Sequence, residues 1–349
     1  IMKNRNKFLT NKRILIVGGT GSIGRHILSS LIPFKPKLIR VFSRDEYKQH
    51  KLRYKYFDLK NIDYVLGDIR DLESITNASK DIDLIFHAAA LKHVSISEEM
   101  PEEFIKTNIL GSLNVKKASL INRVPLTVSI SSDKAVDPTN LMGLTKSIQE
   151  KIFASHRLKN TIKGVKFITV RFGNVIGTHG SLFPIIYHQM VSDTPITITN
   201  QQMTRFYMSQ KEAIDLIFWA TQHGQDGEII IKKMKSATIQ SVITNFSKIL
   251  KQKKKITIKN IGIRVGEKMH ESLITEDNLY RTREKGGYFI VSPYRISDII
   301  SDELLIDDRA LEERKKFNSN NPNNFLSDME VKTYINDFIT QQSSEKGSI

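Results

Sequence analysis

The chain has 349 residues, 40% of them hydrophobic and 26% charged, which suits a soluble globular protein of one large or two interlocked domains. It contains no cysteine, which excludes disulfides, thiolate metal sites and cysteine nucleophiles and fits a reducing cytosol; no metal is expected. No apolar run reaches the roughly 18 residues of a membrane span and no secretion signal opens the chain, so a cytoplasmic protein without a membrane partner is expected.

The formal charge of +16 raises nucleic-acid binding as an alternative. No helix-turn-helix, zinc-finger or aromatic RNA-binding signature accompanies it. Much of the excess lies in scattered lysines and in the run from Lys251 to Lys255. The charge therefore reads as solvated surface with a pull on an anionic substrate such as a nucleotide, and no nucleic-acid partner is expected.

Along the first 170 residues, short β-branched runs alternate with longer amphipathic stretches. Arg13–Val17, Leu38–Phe42, Tyr64–Leu66, Leu84–Phe86, Leu126–Ile130 and Val165–Val170 predict buried strands. Helices are predicted near 22–32, 47–56, 71–79, 102–121 and 139–159. Such alternation predicts an α/β fold, a Rossmann-like doubly wound parallel sheet with helices on both faces. After Arg171 the rhythm breaks into a Gly-rich loop, helices near 182–191, 209–222 and 238–250, and strands at Glu228–Ile231 and 256–260. The expected division is a dinucleotide-binding domain over 8–178, with segments near 209–235 returning to it. A smaller interwoven substrate lobe covers 179–300, and an extension covers 301–349. Val331–Ile339 predicts a last helix, and the final ten residues read as disordered.

The first strand runs straight into Gly18-Gly19-Thr20-Gly21-Ser22-Ile23-Gly24. Glycines at 18, 21 and 24 let the turn tighten, the backbone approach a pyrophosphate and the helix pack on the strand. The phosphates then sit on the free N–H groups of the helix start. The second strand ends Val41-Phe42-Ser43-Arg44-Asp45. With Ser43 and Arg44 where NAD sites carry an acidic residue, NADP is the favoured cofactor; a solvent-facing Arg44 is the plainer alternative. Asp68, after the third strand, is expected near the adenine, and Ala88 and Ala89, after the fourth, let the backbone pass beside the cofactor. His87 reads as a packed core residue rather than a general base.

The fifth strand closes on Ile130-Ser131-Ser132-Asp133-Lys134, and Met142 precedes Lys146 by four residues on the next predicted helix. A surface ion pair is the plain reading of Asp133-Lys134. With these motifs come His87 to His93, Arg171 to Val175, Met203-Thr204-Arg205-Phe206 and Gly262 to Glu271, which includes Gly266-Glu267-Lys268. Taken together and in order, they resemble an extended short-chain dehydrogenase/reductase of the inverting UDP-N-acetylglucosamine 4,6-dehydratase type, over about Lys12 to Pro293. Enzymes of that type serve capsule, O-antigen and flagellin-sugar synthesis. Met142 stands where the commonest pattern has a tyrosine, whose phenol the lysine four residues on would acidify.

The resemblance implies a hydro-lyase that holds NADP tightly and regenerates it in each turnover, with UDP-GlcNAc as substrate and a homo-oligomer, dimer or hexamer, as its form. Lys134 is then the base at C5. It must fall well below the usual ~10.4 of a lysine to act near neutrality, as burial and the ammonium of Lys146 favour. Asp133 is the acid for the departing C6 hydroxyl. Ser131 and Ser132 orient sugar oxygens, and Ser132, or Asp133 through water, takes the 4-hydroxyl proton in place of a tyrosine. Lys146 holds the nicotinamide ribose beside Met142, and cofactor contacts extend to Ile69, Lys92, Asn108 and Val175. Asn174, Arg205 and Arg264 are assigned to the diphosphate region, Glu267 to the uridine ribose, and Lys92 to the space between nicotinamide and sugar. Surface salt bridges are the alternative for Arg205 and Glu267. The rival functions are a retaining UDP-sugar dehydratase or a UDP-sugar 4-epimerase on the same scaffold and, from another class, a non-catalytic NADP-sensing protein.

Overall fold

Apolar runs of four to six residues fold here as strands, and the amphipathic stretches between them as helices laid on the sheet. The structure is a computed structural model that describes residues 7–155, 164–250, 257–279, 281–293 and 317–346. β1 (Arg13–Val17), β2 (Leu38–Ser43), β3 (Ile62–Leu66), β4 (Leu84–His87), β5 (Leu126–Ile130) and β6 (Lys166–Arg171) form the parallel sheet that the sequence predicts. α1 (Ser22–Leu31), α2 (Glu46–Lys55) and α3 (Leu72–Ala78) follow the first three strands. α4 (Val94–Glu99), α5 (Pro101–Phe104) and α6 (Gly111–Ile121) then link β4 to β5, and α7 (Leu141–Ala154) follows β5.

The second part of the chain comprises β7 (Asn174–Val175), α8 (Leu182–Val191), β8 (Ile196–Ile198), β9 (Thr204–Met208), α9 (Gln210–His223) and β10 (Ile229–Lys232). β11 (Lys235–Thr238), α10 (Ile239–Ile249), β12 (Ile258–Asn260), α11 (Glu276–Leu279), β13 (Thr282–Lys285), β14 (Tyr288–Val291) and α12 (Asp328–Lys346) complete it. The large sheet has the order β13-β14-β10-β6-β5-β4-β1-β2-β3. β10 returns to pair in parallel with β6, and β14 and β13 extend that edge antiparallel. Two small sheets, β11-β9-β7 and β12-β8, are formed by this second part of the chain.

Strand alternation divides the core. On β1, Ile14 and Ile16 join one buried cluster while Leu15 and Val17 join the other, so both sheet faces are covered. A third cluster gathers Phe183 and Ile186 of α8, Val242 and Phe246 of α10, and Val331, Ile335 and Phe338 of α12. The last helix is therefore a core element, packed in this third cluster. It runs from Asp328 to Lys346, longer at both ends than the Val331–Ile339 predicted and into the tail read as disordered.

The stretch predicted as one helix near 102–121 is not uniform. Ile105–Leu110 forms a π-helical turn between α5 and α6, a wider winding that turns Thr107 and Asn108 inward, where both are buried. The end of the helix predicted near 139–159, the Lys251 to Lys255 run, and residues 301–316 and 347–349 of the extension lie outside the described residues.

Candidate active site

At the C-terminal ends of the strands, where β1 and β4 lie side by side and the chain order reverses, the structure opens a cleft of about 260 Å³. Open α/β sheets place ligands at this switch point. Gly18, Thr20 and Gly21 line the cleft from the first turn, and Phe42, Ser43, Arg44, Asp45 and Lys48 from the second. Gly67, Asp68 and Ile69 line it after β3, Ala88 to Leu91 after β4, and Thr107 from the π-helical turn.

The glycine turn fits a dinucleotide. Gly18 has φ +81°, and a Cβ there would lie 2.6 Å from the backbone nitrogen of Ala89. At Gly24 a Cβ would lie 2.3 Å from the Gly18 carbonyl oxygen, which explains how closely α1 sits on the turn. Gly21 caps α1 without a side-chain hydrogen bond, so no side chain covers the N–H groups of the first turn. Ser22 and Ile23 lie just inside that turn and are partly buried.

At the end of the cleft lined by the second and third strand turns, Arg44 is half-exposed and faces Asp68 at 3.8 Å. Asp45 caps α2 by accepting from the Lys48 backbone N–H at 2.9 Å, and the Lys48 ammonium lies 2.6 Å from its other oxygen. Burial raises the Asp68 carboxyl, but hydrogen bonds from Arg70 outweigh it and hold Asp68 below its ordinary value. The cleft thus carries two cations, Arg44 and Lys48; Lys48 is paired with Asp45 at 2.6 Å, whereas Asp68 has its close partner in Arg70 and meets Arg44 only at 3.8 Å.

Asn108 has a different place from the expected one. Its Oδ1 accepts from Leu91 N–H at 2.8 Å, and its Nδ2 donates to the Leu91 carbonyl at 2.9 Å and to Thr145 Oγ1 at 3.0 Å. With these bonds made, it braces the loop after β4 against α7 from outside the cleft lining. Val175, buried on β7 and paired with Met208, is likewise not part of that lining. Lys92 reaches across to the His179 carbonyl at 2.6 Å. His179 also meets Arg25 at 2.8 Å and Ser22 Oγ at 3.3 Å, so loop 177–180 straps the start of α1.

The catalytic candidates gather one strand further along. Asp133-Lys134-Ala135 form a 3-10 turn at the end of β5. Asp133 is fully buried, and its Oδ1 accepts from Lys134 Nζ at 3.0 Å and from Ser132 Oγ at 2.9 Å. Its Oδ2 is buried and makes no hydrogen bond among the described residues. The pair is therefore not an exposed surface turn. Met142 is 3% exposed in the first turn of α7, whose start is capped by Asn140 accepting from Gly143 N–H at 2.8 Å. Lys146 donates to the Ile130 carbonyl and to Gln149 Oε1, each at 2.7 Å, and burial brings its ammonium down to about 8, against the charge of Glu150.

Three expectations are corrected by this geometry. Ser131 donates to Glu150 Oε1 at 2.6 Å, because strand alternation turns it to the opposite side from Ser132. Arg205 is not an open fork: it donates to the carbonyls of Thr204 at 2.8 Å and Lys268 at 2.9 Å, and lies 3.6 Å from Glu267. The ammonium of Lys134 is raised rather than lowered. Burial pulls it down, but Asp133 and Glu271, at 3.0 and 3.6 Å, together outweigh burial and the repulsion of Arg205.

Glu271 is the partner that sequence reasoning left without a role. The segment carrying it clasps the start of α7: the Gly266 carbonyl accepts from Thr139 Oγ1 at 2.9 Å and Asn140 Nδ2 at 2.8 Å, and Lys268 donates to the Val136 carbonyl at 2.6 Å. The Gly-Glu-Lys motif marked this segment, but nothing in its spacing places Glu271 against Lys134. Glu267 is partly buried, Arg264 is exposed and meets it through its backbone N–H at 3.3 Å, and Asn174 is partly buried on β7. His87, by contrast, is the packed residue expected: 1% exposed, 2.9 Å from Ser112, and lowered to about 3 by burial first and Lys146 second.

The signature of the family described as "Polysaccharide biosynthesis protein" matches residues 14–293. The chain is 40% identical over 283 residues to the UDP-glucose 4-epimerase of Rickettsia bellii (strain OSU 85-389), covering 80% of this chain and 82% of that protein. It is 37% identical over 309 residues to "Uncharacterized membrane protein MJ1061" of Methanocaldococcus jannaschii, covering 87% and 92% respectively. Among the described residues, no helix is long and apolar enough to cross a membrane. Among solved structures, Pen from Bacillus thuringiensis is similar with a TM-score of 0.84 and 36% identity, over 96% of this chain and 99% of that one.

Proposed function

Because the chain belongs to the polysaccharide biosynthesis protein family, we propose that it is an NADP-dependent UDP-N-acetylglucosamine 4,6-dehydratase that inverts C5. Its product on this reading is UDP-2-acetamido-2,6-dideoxy-β-L-arabino-hexos-4-ulose, a precursor for surface glycans. The observation that carries the reading is the Asp133–Lys134 pair at 3.0 Å, with Asp133 fully buried and Lys134 partly so, at the end of the strand next to the one whose end lines the dinucleotide cleft. The glycine turn and the uncapped start of α1 fit a pyrophosphate, and Arg44 with Lys48 suits the 2′-phosphate of NADP. When bound, NADP would take hydride from C4 of the sugar and return it at C6.

The chain's own residues supply the proton steps. The 4-hydroxyl gives its proton to Ser132 Oγ, whose hydroxyl already donates to Asp133 Oδ1 at 2.9 Å, so the proton comes to rest on Asp133. Asp133 then delivers it to the C6 oxygen, which leaves as water. Lys134, as the free amine, removes the C5 proton that the adjacent ketone has acidified, and when the hydride is restored at C6 a proton returns to C5 from the opposite face, which inverts it. In this scheme Met142 needs no phenol, because the Ser132–Asp133 hydrogen bond supplies the route a tyrosine otherwise provides.

The competing reading is a UDP-sugar 4-epimerase, the activity named for the Rickettsia relatives. An epimerase has no work for a paired acid and base at C5 and C6. Incubation of the NADP-loaded chain with UDP-GlcNAc, followed by NMR, separates the two. A 4-keto-6-deoxy sugar supports dehydration, and a C4 epimer that keeps its 6-hydroxyl refutes it.

A further inference from the structure

Lys134 lies between two carboxylates that reach it from different parts of the fold. Asp133 is its chain neighbour, at 3.0 Å; Glu271 arrives from the second lobe, with Oε1 at 3.6 Å. The Glu271 side chain is only 3% exposed, and Oε2 makes no hydrogen bond among the described residues. Its backbone is pinned independently. The N–H donates to Ser319 Oγ at 2.8 Å, the carbonyl accepts from Ser319 N–H at 2.9 Å, and Ser319 Oγ lies 2.7 Å from Thr204 Oγ1.

The other charges acting on Glu271 are the carboxylate of Asp133, which disfavours a second negative charge there, and the cations Arg205 at 4.0 Å and Lys268 at 3.8 Å. Both cations are anchored elsewhere, Arg205 on the carbonyls of Thr204 and Lys268, and Lys268 on that of Val136. Lys134 Nζ, in contrast, meets only carboxylates among the described residues. A lysine so placed is a cation, and a cation cannot take a proton from carbon. The dehydratase reading, on which this inference rests, therefore needs an acceptor that empties Lys134. Asp133 is not free for that task, because the 4-hydroxyl proton fills it on the way to the leaving water.

We propose that Glu271 is the positioning residue that takes the proton of Lys134 and so creates the base at C5. The N–H bond of the ammonium breaks, an O–H bond forms on the Glu271 carboxylate, and the buried ion pair becomes a neutral amine beside a neutral acid. Burial favours that collapse, since separated charges are poorly solvated there. The same burial holds the Glu271 carboxyl above its ordinary range, although the Lys134 charge opposes this.

The test is Glu271→Gln, which keeps the size of the side chain but accepts no proton, studied with NADP and UDP-GlcNAc alongside the wild-type chain. Expected are a kcat lower by about 100-fold or more, as for loss of a general base, with KM nearly unchanged. Reduced nicotinamide accumulates on mixing, because C4 is oxidised while the C5 proton stays in place. Raising the pH restores part of kcat, since solvent then removes the Lys134 proton, and Glu271→Asp keeps more activity than Glu271→Gln. A kcat equal to or above that of the wild type overturns the proposal, as does a loss without build-up of reduced nicotinamide. A wild-type chain that makes no 4-keto-6-deoxy sugar refutes the dehydratase reading itself, a result distinct from either of these.

Discussion

Arg171 and Glu150 form a two-pronged ion pair, Nη2 to Oε2 at 2.6 Å and Nε to Oε1 at 2.9 Å, with both residues buried. Arg171 ends β6, and Glu150 sits on α7, the helix that carries Met142 and Lys146. Ser131 adds a third hydrogen bond to Glu150, and Arg171 also donates to the Leu273 carbonyl at 2.7 Å. One buried pair thus fixes the candidate catalytic helix to the sheet and to the segment just beyond Glu271.

Breaking that pair from one side leaves a charge buried without its partner. Glu150→Ala or Arg171→Met should each destabilise the fold by about 3–5 kcal/mol. Replacing both residues together by apolar side chains should cost less than either single change. Urea denaturation of the three variants checks this; single variants as stable as the wild type would contradict it.

Gly18 tests the cofactor turn. At φ +81° an alanine is strained, and its Cβ would lie 2.6 Å from the Ala89 nitrogen. Strain of about 1–2 kcal/mol that must be relieved by opening the turn should weaken NADP binding by about tenfold or more. Titration calorimetry on Gly18→Ala reads the effect, and undiminished affinity would move the cofactor elsewhere.

Arg44 tests the choice between cofactors. It stands half-exposed at the cleft edge, and a guanidinium bonded to a 2′-phosphate contributes about 1.5–3 kcal/mol. Arg44→Ala should lower the preference for NADP over NAD by about 10- to 100-fold while leaving NAD binding nearly unchanged. A preference that survives the substitution would show that Arg44 only faces solvent.

His87 predicts a pH dependence of stability. Its folded value, lowered to about 3, lies below the ordinary 6.5, so the unfolded chain binds the extra proton first as pH falls. Its contribution is therefore complete above about pH 6.5 and is lost progressively toward pH 3, at up to about 1.4 kcal/mol per pH unit. In acid titrations of stability, His87→Phe should show a shallower decline over that window than the wild type. An equal slope would place the loss in other groups.

Much of the sheet was legible because strand burial is written locally. Arg13–Val17 and Leu126–Ile130 are strands with the predicted ends, and the glycine turn sits where a strand meets a helix. The π-helical turn at Ile105–Leu110 was not legible, since its winding follows from burying Thr107 and Asn108 rather than from any period in the sequence. The charge state of Lys134 is not legible for a related reason. Burial and Lys146 were visible as causes, but the carboxylate of Glu271 reaches Lys134 only through the clasp between the Gly266 segment and the start of α7. Arg205 was read as a phosphate fork because its carbonyl partners, Thr204 and Lys268, carry no mark in the sequence.

The central claim, that Lys134 removes the C5 proton of a nucleotide sugar, is tested most directly by turnover of UDP-GlcNAc in deuterated water with the wild-type chain and with Lys134→Ala. The account predicts a 6-deoxy-4-keto product with deuterium at C5 and inverted C5 configuration from the wild type. From Lys134→Ala it predicts no C5 exchange, with intact NADP binding. Deuterium entering C5 at the wild-type rate in Lys134→Ala, or a product from the wild type that keeps its 6-hydroxyl, would contradict it.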